Sequence, residues 1–198
     1  MHKSLAYILG FAFGDGNISK DGYLVRLYEE NLGFLKTTVK PRFVESFGTE
    51  PGISYDSSNN SYVLHKHSKH VWNTLRNFGL PAGRKARIIT IPDIINSGNS
   101  ETKSAFVSGV FDAEASITAY SEKDRHPRGY KYLETKMYSP RFIVGLQRLM
   151  LDLSREFNPR VYHYDYGSIL RLNGGEQLRL VSSHLDLMHP RFKRLLAD

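Results

Sequence analysis

Hydrophobic and polar residues alternate in several short stretches of the chain, and this period of two predicts β-strands. In the first half, the predicted strands span residues 23–28, 53–55 and 62–67. In the second half, they span residues 117–120, 131–138, 160–164 and 168–172. Longer stretches with apolar residues three or four positions apart predict helices over residues 31–47, 69–78, 140–157 and 176–187. Because the elements follow the same order in both halves, we predict an α+β fold built from a duplicated unit.

The apolar segment near the N-terminus has a counterpart in the middle of the chain. Residues 6–18 (AYILGFAFGDGNI) align without gaps with residues 105–117 (AFVSGVFDAEASI), 99 positions later. In both copies small residues recur at every fourth position, which places them in one row along a helix. Glycine inside a helix costs about 1 kcal/mol relative to alanine, so we expect a compensating contact. The simplest one is close packing of the two helices along these rows.

Each copy of this segment ends in an acidic residue, Asp15 in the first and Glu114 in the second. The C-terminal end of a helix carries a partial negative charge, so two carboxylates at neighbouring helix ends repel each other. A divalent cation between them would relieve the repulsion, and Mg²⁺ prefers oxygen ligands. A single Gly-Asp-Gly turn is usually structural, but two copies in register favour a functional role. On a basic protein, two carboxylates near a metal predict phosphodiester hydrolysis.

The composition is consistent with a nucleic acid as the partner. The chain has 198 residues with 27 Lys and Arg against 20 Asp and Glu, which gives a net charge of +7. Such a positive charge favours a polyanionic partner, either nucleic acid or an anionic membrane. The apolar run near the N-terminus is too short to cross a bilayer, and we expect no membrane association. The absence of cysteine excludes a cysteine nucleophile and an iron–sulfur cluster.

The paired motifs resemble those of the LAGLIDADG homing endonucleases, in the single-chain form that carries two motifs. The resemblance rests on residues 9–16 (LGFAFGDG) and 108–115 (SGVFDAEA) and extends over nearly the whole chain. It implies pseudo-two-fold αββαββα halves, with the motif helices packed at the centre and two curved antiparallel sheets forming a DNA-binding saddle. We therefore predict an N-terminal half at residues 1–88, a linker at 89–100 and a C-terminal half at 101–198.

The resemblance implies an enzyme of the intron-encoded type, which makes a site-specific double-strand break in a long asymmetric DNA target. Hydrolysis would depend on Mg²⁺ and take place across the minor groove. Asp15 and Glu114 would bind two or three Mg²⁺ ions, with the backbone carbonyls of Gly14 and Ala113 as further ligands. The expected protein is a monomer that binds double-stranded DNA, with host intron RNA as a second candidate partner. The expected location is the cytoplasm, or an organellar matrix if the host gene is organellar.

Family members often carry a Lys or Gln near the metals, and the candidates here are Lys69 and Lys136. For either residue, a plain surface lysine is an equally good interpretation. When the two halves are aligned with an offset of 110 positions, Arg26 and Tyr28 match Lys136 and Tyr138. The residues expected to face DNA are Arg26, Tyr28, Lys66, Lys123, Arg125, Arg128, Tyr132, Glu134, Lys136, Tyr138 and Arg171. Lys and Arg bind phosphates, and Arg can also read guanine.

Two other functions remain open on the same fold. The first is an RNA maturase that assists intron splicing, and the second is a DNA-binding protein that does not cleave. Retention of both Asp15 and Glu114 favours the nuclease. A zinc site at His65, His67 and His70 is conceivable, but histidines on a DNA-facing sheet are the better interpretation of this spacing.

Overall fold

The computed structural model describes residues 1–120 and 130–193, and the chain forms two similar halves. The first half contains helix α1 (Lys3–Asp15), strands β1 (Gly16–Ile18) and β2 (Leu24–Glu29), helix α2, strands β3 (Gly52–Asp56) and β4 (Ser61–His67), and helix α3 (Lys69–Asn77). Helix α2 runs through Leu32–Phe34, a π-helical turn at Leu35–Val39, and Lys40–Phe47. A short helix α4 (Asp93–Asn96) lies between the halves.

The second half repeats this order. It contains helix α5 (Ser100–Glu114), strands β5 (Ser116–Tyr120) and β6 (Tyr130–Met137), helix α6 (Pro140–Leu153), strands β7 (Arg160–Tyr164) and β8 (Gly167–Asn173), helix α7 (Gly175–His184) and helix α8 (Pro190–Lys193). Each half has an antiparallel four-stranded sheet, in the order β1-β2-β4-β3 and β5-β6-β8-β7. The predicted α+β fold with duplicated halves is confirmed.

Helices α1 and α5 pack against each other through their small residues. A Cβ atom added at Gly10 would lie 2.1 Å from the carbonyl oxygen of Phe106, and one at Gly109 would lie 2.1 Å from that of Tyr7. The backbones thus approach too closely for any larger side chain. This contact is the compensation that the glycines predict, and α1 is buried along almost its whole length.

The alternation in each sheet separates a core face from an open face. In β2, Val25 and Leu27 are fully buried against the helices, whereas Arg26 and Tyr28 point to the opposite side and are half-buried. In β6, the same alternation buries Leu133, Thr135 and Met137. We call the side of each sheet away from its helices the open face.

Strand pairing corrects the alignment of the two halves. Arg26 pairs with Asn17 and with His65. At the matching place in the second sheet, Glu134 pairs with Ser116 and with Arg171. Arg26 is therefore equivalent to Glu134, and the spacing in these strands is 108 positions rather than 110. A slip of two residues keeps every side chain on the same face, so the hydrophobic pattern alone could not detect the error.

In the part of the chain that the structure describes, no helix has the length and apolar character needed to cross a membrane.

Candidate active site

The C-terminal ends of α1 and α5 bring the two acidic residues to one place. Each helix ends on its acid, and the first strand of its sheet begins one or two residues later. A Cβ atom added at Gly14 would lie 2.7 Å from the Cβ of Ala113 and 3.0 Å from the Cγ of Glu114. The two helix ends are therefore in contact, as the row of small residues predicts. Their charged ends border an open cleft of about 730 Å³, lined in part by Asp15, Glu29 and Arg191.

Both carboxyl groups bind protons more tightly than free ones do. Burial, together with the negative charge of Asp15, raises the pKa of Glu114 to about 7. Burial also raises the pKa of Asp15, although its side chain reaches solvent at the edge of the cleft; the positive charge of Lys85 opposes this rise. Two interacting acids with raised pKa values are typical of a functional site, because such an arrangement is costly for a purely structural role.

Lys85 is a cation that the sequence analysis missed. Its Nζ donates a hydrogen bond of 2.8 Å to the carbonyl oxygen of Ala12 and another to that of Gly14, at the end of α1. Burial lowers the pKa of Lys85 to about 8, while the charges of Glu114 and Asp15 act in the opposite direction. This ammonium group thus compensates both the partial charge of the helix end and the two carboxylates.

Arg191 performs the same function at the end of α5. One of its guanidinium nitrogens donates to the carbonyl oxygens of Phe111, at 3.4 Å, and Asp112. Its charge acts on both Glu114 and Asp15. Lys85 and Arg191 are 106 positions apart, which is also the spacing between strands β4 and β8. Lys85 follows α3 and Arg191 follows α7, so the two cations occupy related places in the two halves.

The oxygen atoms at the two helix ends suit a hard divalent cation. The carboxylates of Asp15 and Glu114 are the ligand type that Mg²⁺ prefers, and they repel each other without a cation between them. The carbonyl oxygen of Gly14 accepts from Lys85 but has a second lone pair. Among the residues that the structure describes, no cluster of three or more His, Asp or Glu side chains could hold a metal, which leaves the zinc alternative without support.

The two lysines predicted to assist catalysis each lie beside a tyrosine ring. Lys69 is at the start of α3, where its Nζ is 5.8 Å from the centre of the Tyr23 ring. Lys136 is exposed on the second sheet, with its Nζ 4.2 Å from the centre of the Tyr166 ring. Their role in catalysis stays a prediction, whereas Lys85 and Arg191 are bound at the ends of the two helices that carry the acids.

Most of the residues predicted to face DNA lie on the open faces of the sheets. These residues are Arg26, Tyr28, Tyr132, Glu134, Lys136 and Arg171. Tyr138 follows the end of β6 and is 55% exposed. Lys123, Arg125 and Arg128 lie outside the residues that the structure describes.

Lys66 is on the other side of its sheet, and the prediction for this residue is corrected. It pairs with buried Val25, and its Nζ donates a hydrogen bond of 2.8 Å to the carbonyl oxygen of Glu50. The parity of the strand explains the position, since Lys66 is two residues from buried Leu64 and so shares its face.

On the second sheet, Arg171 is held in place by its neighbours on the open face. Its guanidinium group forms an ion pair of 2.7 Å with Glu134 and lies 4.3 Å from the centre of the Tyr132 ring. A second ring, that of Tyr162, lies 5.4 Å away and was not among the predicted residues. This surface combines a fixed cation with aromatic faces, a combination suited to nucleic acids.

Solved structures of known proteins share this fold. I-DmoI in complex with DNA and Ca superposes with a TM-score of 0.67 over 99% of this chain and 98% of its own, at 15% identity. The N-terminal LAGLIDADG domain of WhiA superposes with a TM-score of 0.64 over 98% of this chain and 86% of its own, at 9% identity. The chain has the LAGLIDADG fold. I-DmoI, a homing endonuclease, has also been solved with DNA and Mn.

Sequence comparison finds relatives of a different description. No family model matches the chain. Over 161 residues, or 75% of the chain, it is 25% identical to the ribonucleoside-diphosphate reductase NrdEB subunit alpha of Bacillus subtilis (strain 168). The protein of the same name from Bacillus phage SPbeta matches equally. The chain spans only 14% of the length of these relatives.

Proposed function

We propose that this protein is a site-specific DNA endonuclease that hydrolyses both strands of a duplex with the help of Mg²⁺. The observation that supports this proposal is the contact between two helix ends that both carry an acid, with a basic side chain bound to each end. Burial of the carboxylates opposes their charge, and such a cost is typical of a site that has a function. Phosphodiester hydrolysis can use both the acids and the cations, because the acids can hold metal ions and the cations can stabilise charge on the phosphate.

The acids and the cations of the site would have different roles in catalysis. Asp15 and Glu114 would hold the divalent ions, two or three in number, with help from the carbonyls of Gly14 and Ala113. A bound Mg²⁺ ion polarises a phosphate and activates water. Lys85 and Arg191 would stabilise the negative charge that develops on the phosphate, since each is bound at a helix end that carries an acid. Water is the nucleophile, so no residue of the chain needs to form a covalent intermediate.

The open faces of the sheets would bind the DNA as a saddle, with the acids facing the minor groove. The two faces differ at equivalent positions, where Arg26 in the first sheet corresponds to Glu134 in the second. Such a difference suits a long asymmetric target recognised by a monomer. Intron homing, and a location in the cytoplasm or an organellar matrix, belong to the same proposal.

A second candidate is a DNA-binding protein that does not cleave. The similarity to WhiA is nearly as great as that to I-DmoI, so the fold is not confined to structures named as endonucleases. Retention of both Asp15 and Glu114 favours cleavage. A maturase that binds intron RNA through the same basic surface is a third prediction.

Cleavage of a randomised duplex library tests the proposal. The intact protein and the Asp15→Asn variant are each incubated with Mg²⁺ and with EDTA. We expect the intact protein with Mg²⁺ to enrich cleaved copies of one long site. The variant should not cleave but should bind that site with an affinity within about threefold of the intact protein, because only metal ligation is lost.

Other outcomes point to the other candidates. Salt-sensitive binding of the intact protein to one duplex without cleavage would support the non-cleaving protein. Preferential binding to a structured intron RNA would support the maturase. If Asp15→Asn lost affinity in proportion to cleavage, the assignment of this acid as a metal ligand would be wrong.

A further inference from the structure

Asp112 is a fully buried carboxylate on α5, two residues before Glu114, and the mechanism above does not use it. It accepts hydrogen bonds from the backbone N–H groups of Met188, at 3.1 Å, and His189, at 3.0 Å. The hydroxyl of Tyr7 donates a third bond of 2.7 Å. A buried carboxylate is stable only when such donors replace water, so the contacts fix the backbone at residues 188 and 189.

This anchored stretch leads directly to Arg191. The backbone N–H of Arg191 donates a bond of 3.1 Å to Nδ1 of His189, which therefore acts as an acceptor. Nε2 of the same ring then carries a hydrogen and faces the buried Glu29 carboxylate at 3.2 Å. With both ring nitrogens engaged, His189 connects the anchor on Asp112 to the position of the Arg191 guanidinium group.

The first half has no equivalent of this anchor. The residue aligned with Asp112 is Phe13, whose ring is fully buried and stacks on Phe142 at a centroid distance of 5.8 Å. Lys85, the counterpart of Arg191, reaches the end of α1 without a carboxylate at that place. The two cations of the site are thus positioned in different ways.

We propose that Asp112 is the positioning residue for Arg191: it holds the chain so that the guanidinium group lies at the end of α5, beside Glu114. This inference rests on the proposed nuclease function. Asp112 does not touch the reacting atoms and acts only through the backbone of residues 188–191. Loss of Asp112 should slow cleavage of the same DNA strand as loss of Arg191 itself. Cleavage of the strand that depends on Lys85 should not change.

Nicking rates on the two strands of a labelled target, measured separately with enzyme in excess, test this inference. Asp112→Asn keeps the shape of the side chain but replaces one acceptor oxygen with an amide. We expect it to slow nicking by roughly 10- to 100-fold on the strand that Arg191→Ala slows most, because small displacements of a positioned group have such effects. The double variant should be no slower than Arg191→Ala alone, since both changes remove one interaction.

Tyr7→Phe is the matched control. It removes one donor to Asp112 but leaves the two backbone bonds, so both strand rates should stay within about threefold of the intact protein. Folding is checked by urea unfolding, and Asp112→Ser replaces the Asn variant if that one does not fold.

The outcomes separate this inference from the proposed function. Equal slowing of both strands, or a double variant slower than Arg191→Ala, would indicate a general structural role and overturn the inference alone. An intact protein that nicks neither strand would overturn the proposed function, and this inference with it.

Discussion

At the scale of single residues, the ionised Glu114 carboxylate destabilises the metal-free folded protein. Its pKa is raised to about 7 from an ordinary value of 4.5, so between these pH values the folded state holds more protons than the unfolded state. Stability therefore falls as pH rises through this window. Lys85 has the opposite effect at higher pH, because its pKa is lowered from 10.5 to about 8 and stability rises again across that range.

We predict that Glu114→Gln stabilises the metal-free protein at pH 7.5 and that the gain disappears by pH 4.5. The amide resembles the protonated acid, which is the form that the folded state prefers. The measurement is the midpoint of thermal unfolding in EDTA, which moves by about 2–4 °C for each kcal/mol in a chain of this size.

Glu101→Gln serves as the control, because this residue is exposed at the other end of the same helix. It should not raise the midpoint. Adding Mg²⁺ should reduce the advantage of Glu114→Gln, since the intact protein then recovers a counter-cation. A gain that persisted unchanged at pH 4.5 would show that the ionised carboxylate is not its source.

At the scale of elements, the close contact of α1 and α5 determines the geometry of the site. The acids meet only because the backbones meet, and the backbones meet only because Gly10 and Gly109 have no side chains. Any separation of the helices would also move Asp15 away from Glu114. Packing and chemistry therefore depend on the same residues.

We predict that Gly10→Ala or Gly109→Ala lowers the free energy of unfolding by about 1–3 kcal/mol or more, the usual cost of overpacking a core. Alanine favours helices more than glycine does, so a loss of stability could be attributed to the contact between the two helices. Gly175→Ala is the matched control, since a Cβ there has its nearest neighbour at 3.8 Å. It should be neutral or stabilising by up to about 1 kcal/mol. Urea unfolding measures all three variants, and a neutral result at Gly10 would contradict the contact.

At the scale of the whole molecule, the net charge of +7 matters only where it faces the partner. Arg26 and Lys66 are in strands that pair with each other, but they lie on opposite faces of the sheet. Arg26 is on the open face, whereas Lys66 binds the carbonyl of Glu50 on the helix side. Removing either residue changes the total charge by the same amount.

We predict that Arg26→Ala weakens binding to duplex DNA and reduces the slope of log affinity against log salt by about 1, as expected for one lost phosphate contact. Lys66→Ala should leave both quantities unchanged. Titration of a fluorescent duplex at several salt concentrations measures the two variants together. An equal loss for both would mean that charge acts at long range and that the open face is not the binding surface.

Much of this architecture could be predicted from local patterns. Strand β7 begins and ends as predicted, at Arg160 and Tyr164. A short stretch of alternating hydrophobic and polar residues is enough to indicate a strand. The meeting of Asp15 and Glu114 could also be predicted, since the repeated row of small residues implies helix contact. Their roles as metal ligands, and those of Lys69 and Lys136 in catalysis, stay predictions.

Local patterns are enough to predict the duplicated elements, the central helix pair and the position of both acids, because each depends on a period or repeat within a short segment. The cations that lie at the two acidic helix ends could be identified only from the folded chain. Lys85 is 71 residues from Gly14, and Arg191 is 79 residues from Asp112. No local sequence pattern indicates that these distant segments come into contact. The same reason applies to Asp112, which looks like an ordinary helix residue until the fold brings residues 188 and 189 against it.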